Sequence, residues 1–378
     1  MNIAINTRLL LPNKMDGIGW FTFETVRRIV TQHPEHKFYF LFDRKPDPQF
    51  LFAPNVHPVV LFPPSRHPIL WYLFFEWSIP YALRKYKIDL FLSPDAYSSL
   101  RTRIPKLTVI HDINFEHTPG NLKPSHQIFL NYYSRRYAQQ STRVATVSEY
   151  SKQDLIETYQ LMPDKIDVVY NGAHEDFRPL SLEQQQQVRE QYADGKRYFI
   201  FVSTIIKRKN LATLLKAFDQ LCQCRQEEMR LIVVGNRVWW KDELQQAYEQ
   251  MQHRDRVKLI GRASSKELVR LMGAATAMVY PSLFEGFGIP ILEAFHAEVP
   301  VITSNCTSMP EVAGPAALLV EPTDTEAMCQ AMMRCASDPE LCQQLISLGR
   351  QQRQHFSWDI TAHLLWESMA KTYHSATK

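Results

Sequence analysis

Short apolar runs alternate with helix-periodic segments twice along this chain, and that alternation limits the possible folds more than any other feature. In the second half, residues 198–202, 230–234, 257–260, 277–280 and 299–303 are compact runs rich in Val, Ile, Leu and Phe. Between them lie helix-like segments at 211–220, 241–252, 265–273 and 290–297, and two more helices are expected toward the C-terminus. Strand, helix, strand in this order predicts a parallel sheet with crossover helices on its faces. The first half repeats the pattern, with strands at 2–10, 37–42 and 107–111 and a helix at 20–31. Residues 178–194, with Pro179 and four consecutive glutamines from Gln184, break the series and mark a boundary. At 378 residues the chain exceeds the size of one core, so two α/β domains, 1–180 and 181–356, are expected. Open sheets of this kind bind ligands beyond the carboxyl ends of their strands, which places a site in a central cleft faced by both domains.

Charge and composition exclude several classes. The net charge of +4 sits in residues 1–180, with 21 basic and 17 acidic side chains against 22 and 22 beyond. That excess is too small for nucleic-acid binding but suits an anionic membrane surface or acceptor. No apolar run approaches the ~20 residues of a membrane span, and the N-terminal residues lack the pattern of a signal peptide, so a cytoplasmic protein is expected. Six cysteines, all in the second half and without a Cys-x-x-Cys pair or a histidine cluster, read as free thiols and give no metal site.

The stretch from Ala277 to Ala294 carries the most chemistry. A buried strand enters a loop in which Gly286 and Gly288 let the backbone approach a ligand, and Pro290 suits the start of a helix. Free amides and the helix dipole there make an anion site. Glu293, expected in the first turn, is placed to accept hydrogen bonds from both hydroxyls of a ribose, and Glu285 lies where a sugar would follow the phosphates. Taken alone, Glu293 is more simply an acid complementing the dipole; the glycines turn the reading toward a ligand. Upstream, Lys207, Arg208 and Lys209 precede a helix expected to be capped by Asn210, a grouping that would neutralise a diphosphate leaving group or else form a solvated basic loop.

In the first half, Asp16-Gly-Ile-Gly19 opens the first long helix. With Asp43 at the end of the second strand and Thr22 at the third glycine position, it is half of a dinucleotide fingerprint, so an NAD-type oxidoreductase stands as the alternative enzyme. His111 ends a strand, where it serves either the core or a substrate. Residues 69–80, apolar and aromatic with basic flanks, read first as a buried helix and second as a membrane-surface or lipid-acceptor segment contacting through Trp71 and Phe74.

Taken together, these residues resemble the family 4 retaining glycosyltransferases of the GT-B fold, two Rossmann-like domains with a cleft between them. The resemblance spans nearly the whole chain through Gly17-Ile-Gly19, Leu92-Ser-Pro-Asp95, His111-Asp112, Thr146-Val-Ser-Glu-Tyr-Ser-Lys152 and Val168-Val-Tyr-Asn-Gly172, and continues in Arg208-Lys-Asn210, Pro281-Ser-Leu-Phe-Glu-Gly-Phe-Gly288, Glu293-Ala294 and Phe356-Ser-Trp358. It implies that Glu285 faces the donor sugar, Glu293 the ribose, Arg208 and Lys209 the diphosphate, and the amides of Phe287 to Ile289 the sugar and phosphate. It also implies that His111 lies near the sugar, that Gly17 to Gly19 cover the reaction centre, and that residues 357–378 form a helix packed back on the N-terminal domain. Two positions depart from the family pattern: Ser203-Thr204 stands at a strand end that usually contains glycine, and Glu298 where glycine is frequent.

The expected activity is metal-independent, retaining hexosyl transfer from a nucleotide sugar to a glycan or lipid-linked acceptor in bacterial surface polysaccharide synthesis, possible at the inner face of the membrane. GDP-mannose is the expected donor, with a UDP-sugar as the other candidate, and no cofactor is required. A non-catalytic module that binds sugar nucleotides or glycans is the alternative outside the enzymes.

Overall fold

The computed structural model describes residues 1–12, 14–118, 123–174, 176–224, 228–238 and 240–376. The chain divides into two compact units, Met1–Asn171 with Trp358–Lys378, and Gly172–Ser357. The first unit holds one sheet of seven strands: β1 (Asn2–Asn6), β2 (Lys37–Phe42), β3 (Val56–Val60), β4 (Leu90–Ser93), β5 (Lys106–Val109), β6 (Arg143–Thr146) and β7 (Ile166–Val168). Their order is β3-β2-β1-β4-β5-β6-β7 and every pairing is parallel. The second unit holds six: β8 (Tyr198–Val202), β9 (Arg230–Val234), β10 (Val257–Gly261), β11 (Ala277–Tyr280), β12 (Val301–Ser304) and β13 (Ala317–Val320), ordered β10-β9-β8-β11-β12-β13 and again all parallel. Each order reverses direction once, between β1 and β4 and between β8 and β11, and such a switch point opens a crevice beyond the strand ends.

The local causes are legible. Central strands such as Tyr198–Val202 are buried on both faces, so they read as unbroken apolar runs rather than alternating ones. The helix Leu211–Cys224 buries Leu211, Leu214, Leu215, Phe218, Leu221 and Cys222, a helical stripe that covers that sheet. Pro58 sits in β3, an edge strand, where a missing N–H breaks no ladder. All six cysteines are free thiols.

Several expectations change. The first strand ends at Asn6 rather than residue 10, because Arg8 turns into a buried ion pair with Asp95, Nε to Oδ2 at 2.5 Å. The units divide at Asn171 and Gly172, ahead of residue 180. The polar boundary stretch is instead a helix of the second unit, Leu182–Ala193. It is started by a capping box in which Ser181 Oγ accepts from the Gln184 amide at 3.2 Å and Gln184 Oε1 from the Ser181 amide at 3.1 Å. The helix Trp358–Ala376 is part of the first unit, where Trp366 stacks on His33 at 3.7 Å and Arg28 pairs with Asp359 at 2.6 Å; residues 377 and 378 lie outside the described ones. Residues 69–80 are not one helix but a helix Pro68–Leu73, a π turn Phe74–Ser78 and a helix Ile79–Lys85. Trp71 and Phe74 are core residues, so the membrane-facing role expected of them falls.

One glycine fixes how closely two site-bearing loops approach. Gly235 follows β9 with φ +152°, and a Cβ there would lie 1.7 Å from the carbonyl oxygen of Ser203, beyond β8. The neighbouring strand thus supplies the small residue that the Ser203-Thr204 strand end lacks. Gly235→Ala is expected to destabilise the protein by about 3 kcal/mol or more, through steric overlap with backbone that cannot swing aside. A urea midpoint unchanged from the parent would refute that packing.

Candidate active site

The loop after β11 is held from below by the segment after β12. Ser308 Oγ donates to the carbonyls of Glu285 (3.0 Å) and Phe287 (2.9 Å), Ser304 Oγ to that of Ser282 (2.7 Å), and the Glu285 amide donates to Thr307 Oγ1 (3.2 Å). With these carbonyls turned inward, Gly288 adopts φ +107° and caps the helix Ile289–His296. Among the described residues the amides of Gly288 and Ile289 have no protein acceptor, which leaves two helix N-terminal donors for an anion or sugar hydroxyl. Gly286 and Phe287 lie in the same buried turn, with the Phe287 ring edge-on to Phe356 at 5.6 Å.

Glu285 is the hub. Its Oε2 is 2.8 Å from Arg208 Nη1 and its Oε1 2.5 Å from Lys209 Nζ, and the Tyr280 hydroxyl donates to the same Oε1 at 3.0 Å. Lys209 Nζ also reaches the Tyr280 hydroxyl at 2.8 Å, and Arg208 Nη1 the Phe284 carbonyl. Glu285 and Lys209 are 7% and 9% exposed. Burial pushes the Glu285 carboxyl up, but Lys209 and Arg208 outweigh it and hold the group down at about 2. Burial beside that charge pushes the Tyr280 phenol well above its usual value. Two cations and one carboxylate leave one net positive charge at the strand ends.

Glu293 stands in the opposite environment. It is the fifth residue of its helix, in the second turn rather than the first, because the helix begins at Ile289. Its half-buried carboxylate has no hydrogen-bond partner among the described residues, and burial pushes it up to about 7. Lys207 does not join the cluster; it is exposed and lines a small separate pocket with Thr213 and Glu243. Asn210 is not a simple helix cap. In a left-handed conformation (φ +57°) its Nδ2 donates to the carbonyls of Pro281 (3.0 Å) and Pro322 (2.6 Å), which ties the cation turn to the β11 loop. Glu298 also has positive φ (+58°) and pairs with Arg350 at 2.9 Å, so a left-handed turn is kept without the family's glycine.

In the first unit, His111 follows β5. Its Nε2 lies 2.9 Å from the Pro94 carbonyl and therefore donates, leaving Nδ1 as an acceptor. Burial lowers its pKa and the ring meets Phe21 edge-on at 4.9 Å. Gly17 and Gly19 form the first turn of the helix Gly17–Gln32, not a free loop, because the Asp16 carboxylate caps the Gly19 amide at 3.0 Å. Phe21 belongs to that helix, so His111 and the two glycines share one end of the sheet.

Sequence reasoning missed Tyr280, whose position at a strand end looks merely apolar, and the network in which Asn6 Nδ2 donates to Asp95 Oδ1 at 2.8 Å beside Arg8. An asparagine and an arginine inside an expected apolar strand were the available signal. Asp43 cannot serve a dinucleotide ribose: Arg44 holds both its oxygens, at 2.6 and 3.0 Å, and Ser65 donates to it through Oγ and its amide. This removes the oxidoreductase alternative.

Comparison with known proteins identifies the family. Residues 15–177 match the family described as Glycosyltransferase Family 4, and residues 183–352 that described as Glycosyl transferases group 1. The chain is 30% identical over 281 residues to the O-antigen chain mannosyltransferase B of Escherichia coli, covering 74% of this chain and 73% of that one. It is 27% identical to the O-antigen chain mannosyltransferase RfbU of Salmonella typhimurium, covering 72% of each. Among solved structures, Anabaena HepE in complex with UDP-glucose superposes with a TM-score of 0.76 at 18% identity over 98% of this chain and 99% of that one. A glycosyltransferase from Rickettsia africae gives 0.73 at 19% identity over 98% of each. The chain, an enzyme rather than a binding module, therefore belongs to the family 4 glycosyltransferases of the GT-B fold.

Proposed function

We propose that the enzyme transfers a mannosyl group, with retention, from GDP-mannose to a glycan or lipid-linked acceptor in bacterial surface polysaccharide synthesis, at the inner face of the membrane. The observation that carries this reading is the Arg208–Glu285–Lys209 cluster beside the unoccupied Gly288 and Ile289 amides, and the mannosyltransferase relatives support the choice of sugar. Arg208 and Lys209 would meet the diphosphate, Glu293 the ribose hydroxyls, and the amides the sugar and phosphate. His111 offers its Nδ1 to a sugar hydroxyl, the role that the resemblance implies.

Glu285 is poorly suited to act as a nucleophile, because two cations and a phenol already occupy its oxygens. The acceptor oxygen therefore attacks C1 on the face the phosphate leaves. The C1–phosphate bond breaks as the acceptor bond forms, and the acceptor proton passes to the departing phosphate oxygen. Cations positioned in advance stabilise the charge that develops there. Incubating the enzyme with GDP-mannose and a mannose-terminated glycan, and assigning the product anomer by NMR, tests the whole reading. Transfer from UDP-glucose alone, or an inverted product, would reject it.

With Arg208 and Lys209 supplying the positive charge, transfer should persist in EDTA; complete loss restored by magnesium or manganese would reassign that task to a metal. The two glutamates should separate kinetically. Glu293→Ala removes ground-state ribose contacts worth ~1.5–3 kcal/mol and should raise the donor KM ~10- to 100-fold with kcat little changed. Glu285→Gln should lower kcat by roughly 100-fold while free GDP binds no more weakly, since it frees two cations from a carboxylate. The reverse pattern would sink these assignments.

Nucleotide binding should also carry a pH signature. Glu293, pushed up to about 7 when unliganded, is partly protonated at neutral pH, whereas two ribose hydroxyls are accepted more strongly by its ionised form, in which both oxygens are acceptors. GDP affinity should therefore rise as pH increases from about 6 to 8, with a proton released on binding. Calorimetry in buffers of differing ionisation enthalpy would measure this, and Glu293→Gln should flatten the profile. A parent profile already flat would show that Glu293 does not meet the nucleotide.

A further inference from the structure

The segment from Pro68 to Lys85 buries one face and leaves the other uncovered. Trp71, Phe74, Phe75, Ile79 and Leu83 pack in the core of the first unit. On the outside lie Ile69, Leu73, Trp77 and Tyr81, which are 66%, 37%, 55% and 64% exposed. Their spacing is four residues throughout. In a regular α-helix such a row drifts around the axis by about 40° per step, but the π turn Phe74–Ser78 winds the helix more widely and takes back part of that drift. Pro80 follows closely, and it lacks the N–H that would bond the carbonyl of Glu76, so the regular α-helical ladder is interrupted there. Phe62, 83% exposed, extends the row, because the Ser78 hydroxyl donates to its carbonyl.

The charge around this row has one sign. Between Asp47 and Asp89 the only acid is Glu76, and its carboxylate is turned inward, accepting the Leu100 amide at 3.1 Å and 2% exposed. Between Asp95 and Asp112, and again between Glu116 and Glu149, there is no acid at all. Arg66, Arg84 and Lys85 flank the row and are exposed. Arg101 lies over the Trp77 ring at 4.2 Å and donates to the Tyr72 hydroxyl at 3.1 Å. The helix Pro124–Gln140 adjoins through Trp71 and Phe129, whose rings are 5.3 Å apart, and exposes Ile128 and Tyr132, with Arg136 over the Tyr132 ring at 3.7 Å.

We infer that this row is a docking surface for an anionic phospholipid bilayer, with Ile69, Leu73, Trp77, Tyr81 and Phe62 entering the headgroup boundary and Arg66, Arg84, Lys85 and Arg101 meeting the phosphates. This deepens the inner-face reading above by naming the surface and the lipid charge it selects. The observations favour lipid over a second protein. Exposed Trp and Tyr rings beside cations suit an apolar boundary under a charged layer, and an acid-free rim is complementary to negative headgroups. Among the described residues no helix is long and apolar enough to cross a membrane, so contact of this kind stays at the surface.

The test is flotation of the full chain with phosphatidylcholine vesicles, with and without phosphatidylglycerol. The parent should float with the anionic vesicles only, and less as salt rises. Leu73→Ser with Trp77→Ser should weaken that binding on the order of tenfold, and Arg84→Gln or Lys85→Gln about fivefold each. All four positions are exposed, so the melting temperature and its rise with GDP should match the parent. By contrast Trp71→Ser, a core change that also loses the indole bond to the Ser65 carbonyl at 2.9 Å, should lower the melting temperature. Binding that ignores vesicle charge, or survives the Leu73 and Trp77 changes, overturns the proposal. So does a parent dimer that these changes split while neither protein floats. Flotation without a GDP response would instead reject the donor assignment and leave this surface standing.

Discussion

The buried contact of Glu285 with Arg208 and Lys209 sets the terms for the rest of the second unit. Removing three charges from water costs several kcal/mol per ion, and one missing partner would leave a buried charge uncompensated. The neighbourhood is accordingly organised to satisfy them. Tyr280 donates to the carboxylate from the last position of β11, and the Phe284 carbonyl accepts from Arg208. Asn210 then fixes the cation turn to the loop by reaching the carbonyls of Pro281 and Pro322. Because Arg208 and Lys209 come from beyond β8 and Glu285 from beyond β11, the cluster bridges the two strands at which the sheet order reverses. The cluster carries a single net positive charge at that switch point.

The same topology explains why small residues and hydroxyls gather there. Parallel strands end together, so their loops crowd at one edge of the sheet and compete for space. Gly235 yields to the Ser203 carbonyl, and Gly288 bends the chain into the helix whose first amides stay open. Ser304, Thr307 and Ser308 absorb the carbonyls and amides that the tight β11 loop would otherwise leave unpaired.

The α/β class and the two motif-bearing segments were legible in the sequence because buried parallel strands read as apolar runs and because glycines, a proline and two acids fall at fixed offsets in one stretch. Other features were not, for physical reasons. Short strands such as Leu90–Ser93 and Ile166–Val168 carry too few residues to show a period. The polar run from Ser181 looked like a linker because its helix owes its start to a capping box and buries only Val188 and Ala193. That Lys207 would point away while Lys209 turned inward could not be told from three adjacent cations. In residues 69–80 apolarity all round suggested core, and it took the π turn at Phe74–Ser78 to sort Trp71 from Trp77.

The two glutamates of the segment after β11 show how one short stretch holds two opposite environments. They are eight positions apart and have the same chemistry, yet one is held at about 2 and the other pushed up to about 7. Burial acts on both and by itself would raise both. What divides them is partners: Glu285 has two cations and a phenol, and Glu293 has none among the described residues. A carboxylate already saturated with donors is a fixed element of the field, ionised at every working pH and costing no reorganisation when charge develops nearby. A carboxylate without donors is unstable as an anion until a ligand brings them. Such a group couples the binding of any donor-bearing ligand to its own ionisation, and the ribose contact proposed above would supply the missing donors. The division between a preorganised field and an induced contact follows from which glutamate the Arg208–Lys209 turn reaches.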